Sequence, residues 1–582
     1  MYKPKLLFAL LLLCSGLYIA CNKDNLNSSG PQATVTFAGR ILDENGQAIQ
    51  GAQVRVEGES ASTDKNGVFR LKPVRVDADN AIVFVNKIGY FDFSRAHIVQ
   101  NNAILNLTIQ LLKKQQAGTI NASAGGNINL VNGARLSFPA NAIADKTGSA
   151  YTGTVRVYAR YLDPSDPELA YKMPGDLRGI NAEGAAQILS TFGMMAVELE
   201  SQSGQALKIA AGSSAEIRMP IAADHVAKAP EQIPLWHYDN DTARWIEEGT
   251  AQKVGNEYVG MVEHFSFWNC DFPYEPVNLT GKLFLGDDQH PLVGADVWVG
   301  FPGEGIGWGC GHGSTDDLGN FSGGVAKNQT LVLQIFYWSQ CSSGPIYTQQ
   351  IGPFSENTTL ATIIIPTVIL QTATIKGRAL DCSNQALKDG YVKIVFQQQT
   401  YISFSDANGN FELNVPTCNN NTSRCDITVY DLTNLLENQA QTFTVQNNAL
   451  DAGDIQVCNG LSEFIHYTLD GQFFTKLDPA FGMESDSMPN SVFYNNISAS
   501  DSTSSGFFMS FKNNNQAGTF AINWMALGPL KIDIANSNLT TKVTTAPTNI
   551  GDPIIGTFGT SFKDLNGNPH TLSGNYRVIR NW

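Results

Sequence analysis

The chain has 582 residues, a formal net charge of −15, 53 glycines and only 16% charged side chains. That length exceeds one hydrophobic core, so several domains are expected. The acidic balance argues against a nucleic-acid partner, which would want a basic stripe, and the turn-rich polar composition with short apolar alternations argues for β structure throughout.

Residues 1–20 read as a targeting segment. Lys3 and Lys5 form a positive start, Leu6 to Leu13 an apolar core, and Leu17-Tyr18-Ile19-Ala20 places a small residue before Cys21. This resembles a bacterial lipoprotein signal, with Tyr18 departing from the usual Leu. The resemblance implies cleavage before Cys21 and attachment of palmitate-type acyl chains there. Residues 21–31 form a polar linker. Its Lys23-Asp24 pair resembles the surface-export signal of lipoproteins in one large Gram-negative phylum. Together these imply a protein held by lipid to the outer membrane and facing outside.

Residues 32–115 read as a β-sandwich. Val35 to Ile41 alternates, Asp43-Glu44-Asn45-Gly46 turns, Gly51-Ala52-Gln53-Val54-Arg55-Val56 is a strand, and Thr63-Asp64-Lys65-Asn66-Gly67-Val68-Phe69 is a turn and a strand. This order is similar to the carboxypeptidase-regulatory-like, transthyretin-type domain. The pattern recurs in 276–368, with Thr315-Asp316-Asp317-Leu318-Gly319-Asn320-Phe321, and in 369–458, with Ser405-Asp406-Ala407-Asn408-Gly409-Asn410-Phe411. Three copies at wide spacing read as beads rather than a solenoid. The oxygens of Asp64, Asn66, Asp406 and Asn408 invite a calcium reading, but the further ligands of an EF-hand are missing, so these are hairpin turns.

Residues 116–275 form a central domain. They contain Gly133-Ala134-Arg135-Leu136-Ser137-Phe138-Pro139-Ala140, Thr191-Phe192-Gly193-Met194-Met195, and a closing stretch with Trp236, Trp245 and Trp268. Three strands are expected there, at 236–239, 244–249 and 257–269. The series resembles the β domain of cartilage intermediate layer proteins and, more remotely, the ZU5 domain. That resemblance implies an adhesive or matrix-facing role.

Within the closing stretch stands His264-Phe265-Ser266. A Ser hydroxyl can attack the preceding carbonyl and form an ester that water then breaks, with a neighbouring His as base. Certain ZU5-type domains cut themselves at this tripeptide, which implies Ser266 as nucleophile and His264 as base. Clean alternation over 258–268 favours a regular strand instead, without the strain that cleavage needs.

In the second module, glycines alternate from Gly303 to Gly313 and carry Trp308. With Trp298, Tyr337 and Trp338 this arch forms a candidate platform for sugar rings or peptide; the alternative buries the aromatics in the sandwich. Export implies disulfides, with Cys310–Cys341, Cys382–Cys458 and Cys418–Cys425 as candidate pairs and Cys270 left over. No C-x-x-C or H-E-x-x-H occurs, so no metal site and no cofactor are expected. Residues 459–582 form a last β unit, ending in a hairpin whose turn is Asp564 to Asn568.

The sequence thus reads as an all-β, multi-domain string of β-sandwiches. Its expected role is a lipid-anchored, non-enzymatic surface protein that binds glycan or an extracellular protein. The alternatives are a protein that cleaves itself between Phe265 and Ser266, and a purely structural stalk.

Overall fold

The computed structural model describes residues 30–304, 311–337, 344–388, 390–418, 423–433, 436–458 and, in shorter stretches, 463–580. The described residues are strands and turns with one four-residue helix, Leu169–Lys172. The all-β, multi-sandwich architecture expected from alternation and turn residues is present.

The first module shows how its sequence folds. Gln32–Asp43 lies at the centre of one sheet, antiparallel to Val68–Arg70 and Val74–Asp77 and parallel to Ile104–Leu111. The second sheet runs Glu59–Ser62, Gln53–Val56, Ala81–Asn86, Phe93–His97. Phe37, Val54, Val56, Phe69, Val83 and Val85 fill the space between the sheets. The later repeats share this plan. Pro276–Leu285 is antiparallel to Asn320–Ala326 and parallel to Ile363–Ile365. Thr372–Leu380 is antiparallel to Asn410–Pro416 and parallel to Ala449–Gln456.

The recurring Thr/Ser-Asp-x-x-Gly turn has a physical cause in each copy. The buried Thr63 hydroxyl donates to Ile49 O (2.6 Å) and accepts from Ala52 N (2.8 Å), and Thr315 repeats this with Leu292 O and Ala295 N. Asp64 Oδ1 accepts from Asn66 N and Val68 N, both at 2.9 Å, and Asp316 and Asp406 cage their turns the same way. These carboxylates are therefore occupied by backbone N–H groups, as hairpin turns require. Gly67, Gly319 and Gly409 close the turns at φ of 72°, 74° and 80°. A Cβ at any of the three would stand 2.4 Å from the carbonyl oxygen of Ile41, Leu283 or Ala379.

Six strands of the central domain matter for function: β1 (Arg178–Ile180), β2 (Ala186–Ser201), β3 (Gln232–Asp239), β4 (Arg244–Val254), β5 (Glu257–Val262) and β6 (Phe267–Tyr274). The pairings close on themselves in the order β2–β1–β4–β3–β6–β2. Trp236, Trp245 and Trp268 are 0–1% exposed, which gives this small sheet its anchor.

The first four modules pack together. Phe91, Ala96 and Leu112 of the first module join Trp236, Tyr238, Trp245 and Phe267 in one apolar cluster. Tyr238 Oη donates to Ser94 O (2.7 Å), and Arg178 Nη2 donates to Ala96 O (2.9 Å). Ile188 of β2 enters the core of the module at 276–365. Lys65 pairs with Glu437 at 2.6 Å, and Tyr391 donates to the second oxygen of Asp64. Residues 463–580 have their own core around Phe481, Phe507, Phe511 and Tyr576.

Gly67→Ala combines a left-handed backbone with a collision against fixed backbone, and should cost about 2–3 kcal/mol in urea unfolding. Gly46→Ala, also left-handed at φ 74° but with nothing within 4 Å of the added carbon, should cost only about 1 kcal/mol.

Candidate functional site

The run expected as one strand over 257–269 is two strands. β5 ends at Val262, residues 263–266 bend, and β6 starts at Phe267. Sheet order is the reason: β5 pairs with β4, but β6 pairs with β3 on the far side. Gly260 lies opposite Ala251 and Trp268 lies opposite His237. The connection must therefore cross β4 near Glu248 and then β3 near His237.

That crossing brings three side chains together. His264 Nε2 lies 3.1 Å from Glu248 Oε2, and His237 Nε2 lies 3.4 Å from the same oxygen. The two imidazoles meet at 89° with centroids 4.6 Å apart, and Trp268 borders both. Trp268 Nε1 donates to His264 O (3.0 Å) and fixes the bend. Glu248 owes its place to a β-bulge: between the pairs Pro234–Thr250 and Trp236–Glu247, β4 carries one extra residue, and Gly249 absorbs it at φ 82°. Burial, then the neighbouring His264, lowers the pKa of His237.

The self-cleavage tripeptide is not arranged for acyl shift. Ser266 Oγ donates to Phe267 O (3.0 Å). His264 is engaged by Glu248, and no hydrogen bond joins it to Ser266 among the described residues. Phe265 packs inward against Phe138 (5.6 Å), and none of residues 263–266 has a positive φ.

A cleft of about 980 Å³ opens where the first module, the central domain and the modules at 276–365 and 372–456 meet. Its walls include the strand Ile104–Leu111, Arg178, Ile188, His312, Tyr337 and Tyr401. A polar cluster lines one end. Tyr171 Oη donates to Asp296 Oδ2 (2.5 Å), and His312 Nε2 stands 3.6 Å from Asp296 Oδ1. Arg95 donates to Gly175 O and Met173 O. His97 is pushed down to about 3, first by burial and then by the charge of Arg95, so it is neutral at physiological pH. These residues come from separate modules and share no spacing, so no sequence motif could have collected them.

Trp298 is not a solvent-facing platform. It is 3% exposed, packed against His312 (4.1 Å between centroids) and Tyr171 (6.3 Å), because its strand is covered by the helix Leu169–Lys172. Tyr337 is half-buried, lines the cleft and donates to Asn414 O (3.2 Å). Trp308, Trp338, Cys310 and Cys341 lie outside the described residues, as do Cys21, Lys23 and Asp24. No helix among the described residues is long and apolar enough to cross a membrane.

Two expected disulfides are absent. Cys425 is a free, fully buried thiol in the module core, so it is not bonded to Cys418. Cys382 and Cys458 are also free thiols but do meet. Leu380 and Gln456 are partners in a parallel pair, so the residues two beyond each run on together. The hydrogen bond with Cys458 pushes the Cys382 thiol up to about 11. Cys270 is free and buried in the central core.

No family model matches the chain. Part of it is similar in sequence to cartilage intermediate layer proteins. It is 31% identical over 160 residues to mouse cartilage intermediate layer protein 2, covering 25% of this chain and 13% of that protein. It is 27% identical over 230 residues to mouse cartilage intermediate layer protein 1, covering 36% and 18%. The chain thus spans less than a fifth of these relatives' length. Among solved structures, the shaft pilin SpaA of Lactobacillus rhamnosus GG matches 31% of this chain and 97% of its own at 12% identity, with a TM-score of 0.17. The Bacillus anthracis TIE protein matches 74% and 69% at 10% identity, with a TM-score of 0.16.

With Ser266 Oγ bonded to Phe267 O and His264 bonded to Glu248, the mature chain should run as a single full-length band on denaturing gels, and Ser266→Ala should leave that band unchanged. Two bands in the parent and one in Ser266→Ala would contradict this geometry.

Proposed function

We propose that this is a lipid-anchored cell-surface protein whose packed β modules bind a glycan or an extracellular protein without turning it over. The observation that supports this best is the junction cleft. It is large enough for a ligand of several rings, and binding clefts commonly combine apolar walls with a few placed polar groups. Here the walls carry Ile104, Leu107 and Ile188, and the polar end carries Tyr171, Asp176, Arg178 and His312. The partial similarity to proteins named for a layer of cartilage agrees with a role outside the cell. The lipid anchor rests on the Cys21 signal, and the outward orientation on Lys23-Asp24.

The test is an array of glycans and extracellular proteins probed with the mature chain, alongside Thr108→Trp. Thr108 is an exposed residue of the cleft wall, and the indole would fill part of the space. Binding to one class of ligand, weakened at least tenfold in Thr108→Trp, is the expected result. No binding in any class, or binding indifferent to Thr108→Trp, would leave the stalk reading in its place.

A further inference from the structure

We infer that His237, Glu248 and His264 form a binding site for a divalent transition-metal cation of the zinc class. They are the one group of three or more His, Cys, Asp and Glu side chains among the described residues whose donor atoms all lie within 4.8 Å of one another. Nothing in the cleft or in the adhesive reading depends on this site.

The geometry carries the inference. Ligand atoms about 2.0–2.1 Å from zinc at tetrahedral angles stand roughly 3.3 Å from each other. The two imidazole nitrogens stand 3.1 and 3.4 Å from Glu248 Oε2. Both His residues present Nε2, so donors from β3, β4 and the bend at 263–266 converge on one point. Two imidazoles and one carboxylate suit zinc and its neighbours, whereas calcium and magnesium prefer all-oxygen shells. The site is walled on one side by Trp268 and open on the other: the His264 and Glu248 side chains are 40% and 43% exposed. Three protein ligands with an accessible fourth position are the arrangement of an open zinc site. The fourth place is available to water or to a carboxylate or imidazole from outside the chain.

The metal would join the β3–β4 hairpin to the crossing connection between β5 and β6. It would hold the bend at 263–266 in place, adding to the hydrogen bond from Trp268 Nε1. It would also use the donor atom of His264, Nε2, that stands against Glu248.

The test uses the full mature chain stripped with EDTA. Calorimetric titration with zinc chloride should give one site, and Co2+ should give the intense visible absorption of four-coordinate surroundings. His264→Ala and Glu248→Gln should weaken zinc binding by about a hundredfold or more. His290→Ala, at an exposed His paired only with Asp287, should leave it unchanged. Independently of any substitution, zinc should shield His264 from diethylpyrocarbonate, read by peptide mass mapping. The inference is overturned if the stripped chain shows no stoichiometric zinc site, if the affinity is the same in His264→Ala and Glu248→Gln, or if His264 is modified equally with and without saturating zinc.

Discussion

The arrangement depends on one docking contact, the first module seated on the second face of the central sheet. β3 and β4 carry large side chains on both faces. Leu235 and Ala251 turn to the domain's own core, while Trp236, Tyr238 and Trp245 turn the other way. Phe91, Ala96 and Leu112 close over these rings together with Leu169, Met173 and Leu177 of the central domain itself. An indole that exposes about 150–250 Å² contributes on the order of 4–6 kcal/mol when covered, at about 25 cal/mol per Å². The Tyr238–Ser94 hydrogen bond sets the register of the contact by pairing a hydroxyl that burial would otherwise penalise.

Docking also creates the cleft. Once the first module is held against the central sheet, its edge strand Ile104–Leu111 faces the module at 276–365, where Ile104 N donates to Asp317 Oδ1 (2.8 Å). The module at 372–456 reaches back through Tyr391 to the turn at Asp64 and Asn66. The turn that shapes each sandwich thus serves, in the first copy, as a contact with another module. Burial raises the pKa of Asp64 there, against the lowering effect of its hydrogen bond with Tyr391.

Much of the fold was legible because its determinants are local. The Asp64-x-x-Gly67 part of the turn works through bonds within five residues, so it recurs at Asp316 and Asp406. The central strands announced themselves by alternation and by Trp236, Trp245 and Trp268. What was hidden depends on sheet order. Alternation through 258–268 looks like one strand, and only the placement of β6 beside β3 forces the break at 263–266. Trp298 was read as a candidate platform because its partner, the helix Leu169–Lys172, lies more than a hundred residues away. The His237–Glu248–His264 group has no motif spacing, since a bulge and a crossing assemble it. Cys425 was offered to Cys418 on proximity in sequence, but strand alternation turns it into the core.

The most direct measurement is to place a specific protease site at the Lys113–Lys114 connection, cut the folded protein, and follow the two pieces by gel filtration and tryptophan emission. The pieces should remain together, with Trp236 and Trp245 still emitting as buried indoles. Separation of the first module, with emission shifting toward that of hydrated indole, would contradict the account.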